Sequence, residues 1–355
     1  MPEALMDAAA VTDLVWIQTG FIGDIILTTG ALALAKRHLP QARQHMITTA
    51  IGAQVLARQP ELASCIVYAK GREPPLAAMR SVRRDLHQAL SSPNLPGGVV
   101  VLQAHRSYRS SLLASFLRLP TITYRQTAGA FLADHRVERV AILHEASRLA
   151  LLLGPLGIPR LNVAVPSMPA QALLQVSGWG QQLADWRGQV VAIAPGSVWG
   201  TKRWPEAAFA AILQRCLDRP NLMVVLLGSA AEAPLVGRIA ATVPQQPRLV
   251  NLAGKTTFDD LKGLYPRLSL LLANDSSPIH MASAYGITTV ALFGATVPAM
   301  GFAPLAPGSI QLGVDLACRP CSDHGPQECP LGHFKCMREL SVERVWAACS
   351  ERLQP

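Results

Sequence analysis

Leu14 to Pro40 reads LVWIQTGFIGDIILTTGALALAKRHLP, and its internal order decides the fold. The apolar run Leu14–Ile17 predicts a buried strand. Thr19–Asp24 is a glycine-containing turn, and the Ala- and Leu-rich stretch after it predicts a helix closed by Lys36, Arg37 and Pro40. Val190 to Leu213, VVAIAPGSVWGTKRWPEAAFAAIL, repeats the order: an apolar run to Ala194, a loop over Pro195–Gly200, and a helix opened by Pro205 and Glu206. Each segment opens an α/β half. Further continuous apolar runs lie at His45–Thr49, Cys65–Tyr68 and Val99–Leu102, then at Leu222–Leu227, Leu268–Ala273 and Thr289–Phe293. Runs without polar alternation fit parallel strands covered on both faces.

The expected class is α/β, with two Rossmann-like domains whose parallel sheets face one another across a cleft. The weakly patterned stretch Leu161–Arg187, with Pro166 and Pro169, is the expected linker. The reading assigns residues 1–175 to the first domain, 176–340 to the second, and 341–355 to a terminal helix that returns to the first.

At 355 residues the chain has room for two cores. Half of the residues are hydrophobic and 15% are charged, which excludes a disordered chain. A net charge of +9 points to anionic partners: phosphates, nucleic acid or an anionic membrane surface. No Lys/Arg block is long enough for a nucleic-acid tail; Arg80–Arg84 and Lys202–Arg203 are short. No apolar stretch is long enough to span a membrane. The start, MPEALMDAAAVTD, has no basic n-region and carries Glu3, Asp7 and Asp13, so no secretory signal is expected. The expected compartment is the reducing cytoplasm, with the seven Cys as thiols or metal ligands.

In open α/β sheets ligands sit beyond the carboxyl ends of the strands. Asn274–His280, NDSSPIH, lies between an apolar run and an Ala-rich helix. Its Asp275, Ser276 and Ser277 either cap that helix or leave its amides to a phosphate, and the loop alone does not choose. In Pro195–Trp204, Gly196 and Gly200 allow close backbone approach, Ser197 and Thr201 supply hydroxyls, and Lys202 and Arg203 supply charge. The alternative is a turn with a solvated basic pair. Trp199 and Trp204 weigh against it, because loop tryptophans pack or stack. In Gly20-Phe21-Ile22-Gly23-Asp24, Asp24 is either a helix cap or a carboxylate able to take a proton from a hydroxyl. Its place at a helix start predicts that it stays ionised. Glu232, past Leu222–Leu227, is either a surface residue or a hydrogen-bond partner for ribose hydroxyls.

Cys318, Cys321, Cys329, His333 and Cys336 form the last feature. They could supply a tetrahedral metal site, but their spacing does not match paired finger ligands. Thiols packing a Pro-rich loop are therefore the favoured reading, and the four cysteines stay as metal candidates only. The sequence has no DxD, GxSxG or HExxH, so a carboxylate-held divalent ion, a serine nucleophile and a zinc protease lack support.

Taken together, GFIGDIILTTGAL, APGSVWGTKRWPEAAFA and NDSSPIHMASAYGITTVALFGAT, in this order and spacing, resemble the ADP-heptose:lipopolysaccharide heptosyltransferases, glycosyltransferase family 9, nearest the heptosyltransferase II branch. The likeness runs from about Leu14 to about Trp346, and CRPCSDHGPQECPLGHFKCM resembles the family's C-terminal region. The resemblance implies a GT-B fold and inverting, metal-independent transfer of heptose from ADP-heptose to the inner core of lipopolysaccharide. It implies an acceptor-binding first domain and a donor-binding second one. Asp24 would be the general base, beside Gly20 and Gly23. Lys202, with Ser197 and Thr201, would hold the diphosphate, and Glu232 the ribose. Asp275, Ser276, Ser277 and His280 match the donor motif, although Ser277-Pro278 replaces the Gly-Leu or Gly-Met of many members.

ADP-heptose would be a substrate, so no cofactor is expected, and a structural metal at the cysteines is not favoured. The expected partners are the nucleotide sugar, the lipopolysaccharide core and the inner membrane surface, with no nucleic acid. The expected location is the cytoplasm, peripheral on the inner face of the cytoplasmic membrane. The alternatives are a protein heptosyltransferase, another sugar-nucleotide glycosyltransferase or an epimerase, and, remotely, a metal-binding nucleic-acid module on Cys318–Cys336.

Overall fold

The computed structural model describes residues 8–71, 73–90, 98–159, 164–171 and 178–353. The chain divides into two compact units, Met1–Pro169 and Ala170–Pro355. In the first, strands β1 (Asp13–Ile17), β2 (Arg43–Thr48), β3 (Ser64–Val67), β4 (Val99–Gln103), β5 (Thr121–Tyr124) and β6 (His135–Val137) form one sheet. All pairings are parallel and the order is β3-β2-β1-β4-β5-β6. In the second, β7 (Gln189–Ala194), β8 (Leu222–Leu226), β9 (Leu249–Asn251), β10 (Leu270–Asn274), β11 (Thr289–Leu292) and β12 (Ile310–Leu312) form the order β12-β11-β10-β7-β8-β9. Counted within each unit this is one topology, 3-2-1-4-5-6.

Every residue of β1, β4, β8 and β10 is buried. That is the signature of strands with helices on both faces, and it explains the unbroken apolar runs. Helix α1 (Ile22–His38) is buried continuously from Ile25 to Leu32. A side chain on Gly30 would meet the Ala164 carbonyl oxygen at 2.1 Å, so only glycine lets the 164–165 backbone cross there. Lys36 and Arg37 lie in its last turn, where cations complement the negative end of the helix dipole.

The expected linker Leu161–Arg187 lies partly outside the described residues (161–163 and 172–177). Of the rest, Gly178–Asp185 is a helix. The terminal helix Val342–Ser350 packs within the second unit. Val345, Ala348 and Cys349 join Phe209, Ile212 and Cys216 in the second unit's core, against the helix Glu206–Leu217. Its apolar face is satisfied there. Among the described residues no helix is long and apolar enough to cross a membrane.

Candidate active site

In both sheets the chain leaves strand one toward one edge and re-enters at strand four toward the other. The crevice at that reversal, beyond the carboxyl ends of the two strands, is where this topology places ligands. In the second unit it lies beyond β7 and β10; in the first, beyond β1 and β4.

Beyond β7, Lys202 sits in a short 3-10 turn, Gly200–Lys202. Its Nζ donates to Asp275 Oδ2 at 2.6 Å, and Asp275 follows β10 directly. The same oxygen accepts from the Thr296 hydroxyl at 2.6 Å. Asn274 ties the two loops: its amide donates to the Pro195 carbonyl at 2.8 Å and its Oδ1 accepts from Trp204 N–H at 3.1 Å. Arg203 Nε donates to the Ser197 carbonyl at 2.8 Å. The basic pair is therefore engaged within the site loops rather than free in solvent.

The helix Ser277–Ala284 is preceded by Ser276, whose hydroxyl donates back to the Asn274 carbonyl at 3.2 Å and caps no helix amide. Plain capping does not describe this loop. Its first-turn amides have no side-chain cap, and the dipole there favours an anion. Ser277 is the first helical residue. His280 is buried within this helix, edge-on to Phe302. Glu232 accepts from the amide and hydroxyl of Ser229, each at 2.8 Å. Its Oε1 lies 2.1 Å from where a side chain on Gly196 would begin, so the missing side chain is what lets Glu232 reach the Pro195–Gly200 loop.

Thr201 gives its hydroxyl proton to the Pro326 carbonyl at 2.5 Å, and Gly200 N–H donates to Gln327 Oε1 at 3.1 Å. The cysteine-rich segment thus clamps the loop that carries Lys202. Trp204 is core, edge-on to Phe209, and Trp199 stacks on His324; neither stacks on the basic pair. All seven cysteines are free thiols. Among the described residues no group of three or more His, Cys, Asp or Glu is placed to hold a metal ion.

In the first unit Gly20 makes the turn after β1 and Gly23 is buried in the first turn of α1. Asp24 follows, its Oδ2 accepting Phe21 N–H at 3.2 Å. The expectation that the helix start keeps it fully ionised is corrected. Burial, reinforced by the Glu145 charge, outweighs the Phe21 amide, Arg106 and Arg139, and raises its pKa to about 7. Glu145 opens a short helix (Glu145–Leu151) that packs on α1, and it pairs with Arg139 at 2.5 Å and Arg148 at 3.0 Å.

The sequence reading did not single out His105, in the loop after β4. Thr19 Oγ1 and Ser110 Oγ lie 2.9 Å from its Nδ1, and Ser107 Oγ 3.2 Å. A titratable residue three positions past the apolar run Val99–Leu102 was the available signal.

Two parallel sheets of one strand order, with charged side chains gathered at both reversals, define a two-unit protein of Rossmann type. Residues 98–331 match the family model described as "Glycosyltransferase family 9 (heptosyltransferase)", and the chain belongs to that family. It is 32% identical over 163 residues to lipooligosaccharide heptosyltransferase 2 of Campylobacter jejuni, covering 44% of this chain and 49% of that one. Against this relative the chain spans about half the length. It is 27% identical over 294 residues to lipopolysaccharide heptosyltransferase 2 of Escherichia coli, covering 79% and 82%. Among solved structures, the family 9 glycosyl transferase of Veillonella parvula superposes with a TM-score of 0.81 at 20% identity, over 99% of this chain and 98% of that one. This likeness gives the chain the GT-B fold.

Proposed function

We propose that the protein transfers heptose from ADP-heptose to a sugar hydroxyl of the lipopolysaccharide inner core, in one displacement with inversion and without a metal ion. The observation that carries this reading is the contrast in charge at the two reversals, in a chain of family 9. One reversal holds a cation–carboxylate pair beside an uncapped helix start. The other holds a carboxylate whose pKa of about 7 suits proton exchange near neutrality.

In the proposed step Asp24 accepts the proton of the acceptor hydroxyl. The hydroxyl oxygen bonds to the anomeric carbon as the bond to the diphosphate breaks, and ADP leaves with the electron pair. Lys202 and the amides at Ser276 and Ser277 receive the charge that develops on the diphosphate. Ser197 and Thr201 support that loop, Glu232 binds the ribose, and Asp275 and His280 shape the donor pocket. A net charge of +9 supports contact with phosphorylated glycolipid at an anionic membrane face, on the cytoplasmic side.

Mass analysis of products tests the reading. Incubation with ADP-heptose and truncated lipopolysaccharide cores should add one heptose to one core, with ADP released in equal amount. UDP-sugars should not turn over. Turnover of UDP-sugars, or of a protein acceptor alone, would overturn the assignment.

A further inference from the structure

β4 delivers His105 to the reversal of the first sheet, as β10 delivers Asp275 in the second. Ala104 and His105 both donate their backbone N–H to the Ile17 carbonyl at 3.1 Å, which pins this loop to the end of β1. The imidazole is fixed as well. Thr19 and Ser110, both buried, and Ser107 surround Nδ1, so the ring cannot turn without breaking contacts to three hydroxyls. The opposite edge of the ring faces the turn after β1. A side chain on Gly20 would begin 3.3 Å from His105 Cδ2, 3.0 Å from Asp24 Oδ2 and 2.9 Å from Gln18 Oε1. Gly20 leaves that space clear, and a carboxylate, an amide oxygen and the Cδ2–Nε2 edge of an imidazole border it.

We propose that His105 is an acceptor-binding residue: its Nε2 hydrogen-bonds an oxygen of the acceptor sugar and turns the neighbouring hydroxyl toward Asp24. The hydroxyl cage fixes the direction of Nε2 in advance, so little ordering remains to be done when the sugar arrives. The ring stays neutral in this role, since burial together with Lys70 and Arg106 lowers its pKa to about 4. It orients the sugar while Asp24 takes the proton. This inference rests on Asp24 acting as the base.

The test exploits the two ends of the ring. Gln at position 105 places an amide where Nε2 stands, and Asn places one where Nδ1 stands. His105→Ala should lower kcat/KM for the acceptor about 100-fold, with the donor KM and the acid limb set by Asp24 unchanged. His105→Gln should recover part of the loss and His105→Asn none. Recovery by Asn but not Gln would mean that the ring serves only the hydroxyl cage, and would overturn the proposal. So would a His105→Ala enzyme with wild-type acceptor kinetics while Asp24→Asn is inactive. If Asp24→Asn is active too, the reading of the base fails instead. Should His105→Ala not fold, Ser110→Ala frees the ring: the acceptor KM should rise about fivefold at constant donor KM. An unchanged acceptor KM would count against the proposal.

Discussion

The two units share a strand order but treat charge in opposite ways at the point where that order reverses. Beyond β7 and β10, Lys202 and Asp275 balance one another at 2.6 Å, and Thr296 holds the carboxylate in place. Beyond β1 and β4, among the described residues, no cation lies within ion-pair distance of Asp24. Burial raises its proton affinity instead. Topology therefore supplies the location, and the side chains decide the chemistry. A balanced pair beside helix amides suits an anion that gains charge; a half-buried carboxylate with a pKa of about 7 suits a group that gives and takes a proton.

The largest effect on stability is expected on the paired side. Lys202→Met leaves Asp275 buried without its cation and removes the charge proposed to meet the diphosphate. It should weaken ADP binding about tenfold to a hundredfold and cost about 2–4 kcal/mol of stability. Adding Asp275→Asn should recover stability but not ADP affinity. Calorimetry and thermal melts check both, and an unchanged melting temperature in the single variant would break the comparison.

On the other side the sign reverses. Asp24 has a folded pKa of about 7, above the ordinary carboxylate value. The folded state therefore holds the proton more tightly than the unfolded state. The stability this lends is complete below the unfolded pKa and is lost as pH rises through about 7. Asp24→Asn removes this dependence. Its stability relative to wild type should be about 2–3 kcal/mol more favourable at pH 8 than at pH 5; denaturant melts at the two pH values give the difference directly.

Two smaller effects sharpen the contrast. Glu145 raises the Asp24 pKa and Arg139 lowers it. Glu145→Gln should therefore move the acid limb of kcat/KM down by about half a pH unit, and Arg139→Met should move it up. Equal shifts in one direction would show that the limb does not belong to Asp24. Gly196→Ala must displace the Glu232 carboxylate, so the donor KM should rise about threefold with the acceptor KM unchanged.

Much of this was legible in the chain because a strand, its loop and the next helix are contiguous. The apolar runs marking β1, β2, β3, β4, β7, β8, β10 and β11 lie within a residue or two of the strands. The runs missed were β5, β6, β9 and β12, each three or four residues long and too short for any period to show. Asp24, Lys202 and Asp275 could be named from their loops. Their environments could not. Glu145 and Arg139 reach Asp24 from distant segments, and Thr19 and Ser110 meet around His105 from two different helix starts. The cysteine segment looked like a candidate for chemistry because its residue types do; its contacts to Gly200 and Thr201 are long-range and leave no local pattern.

The central claim is that proton transfer and nucleotide binding belong to different units. The direct measurement is heptose transfer and ADP affinity in one preparation of Asp24→Asn. Transfer should fall about a thousandfold, while the ADP dissociation constant stays within about twofold of wild type. Transfer at near wild-type rate, or an ADP affinity lost in step with it, would contradict the account.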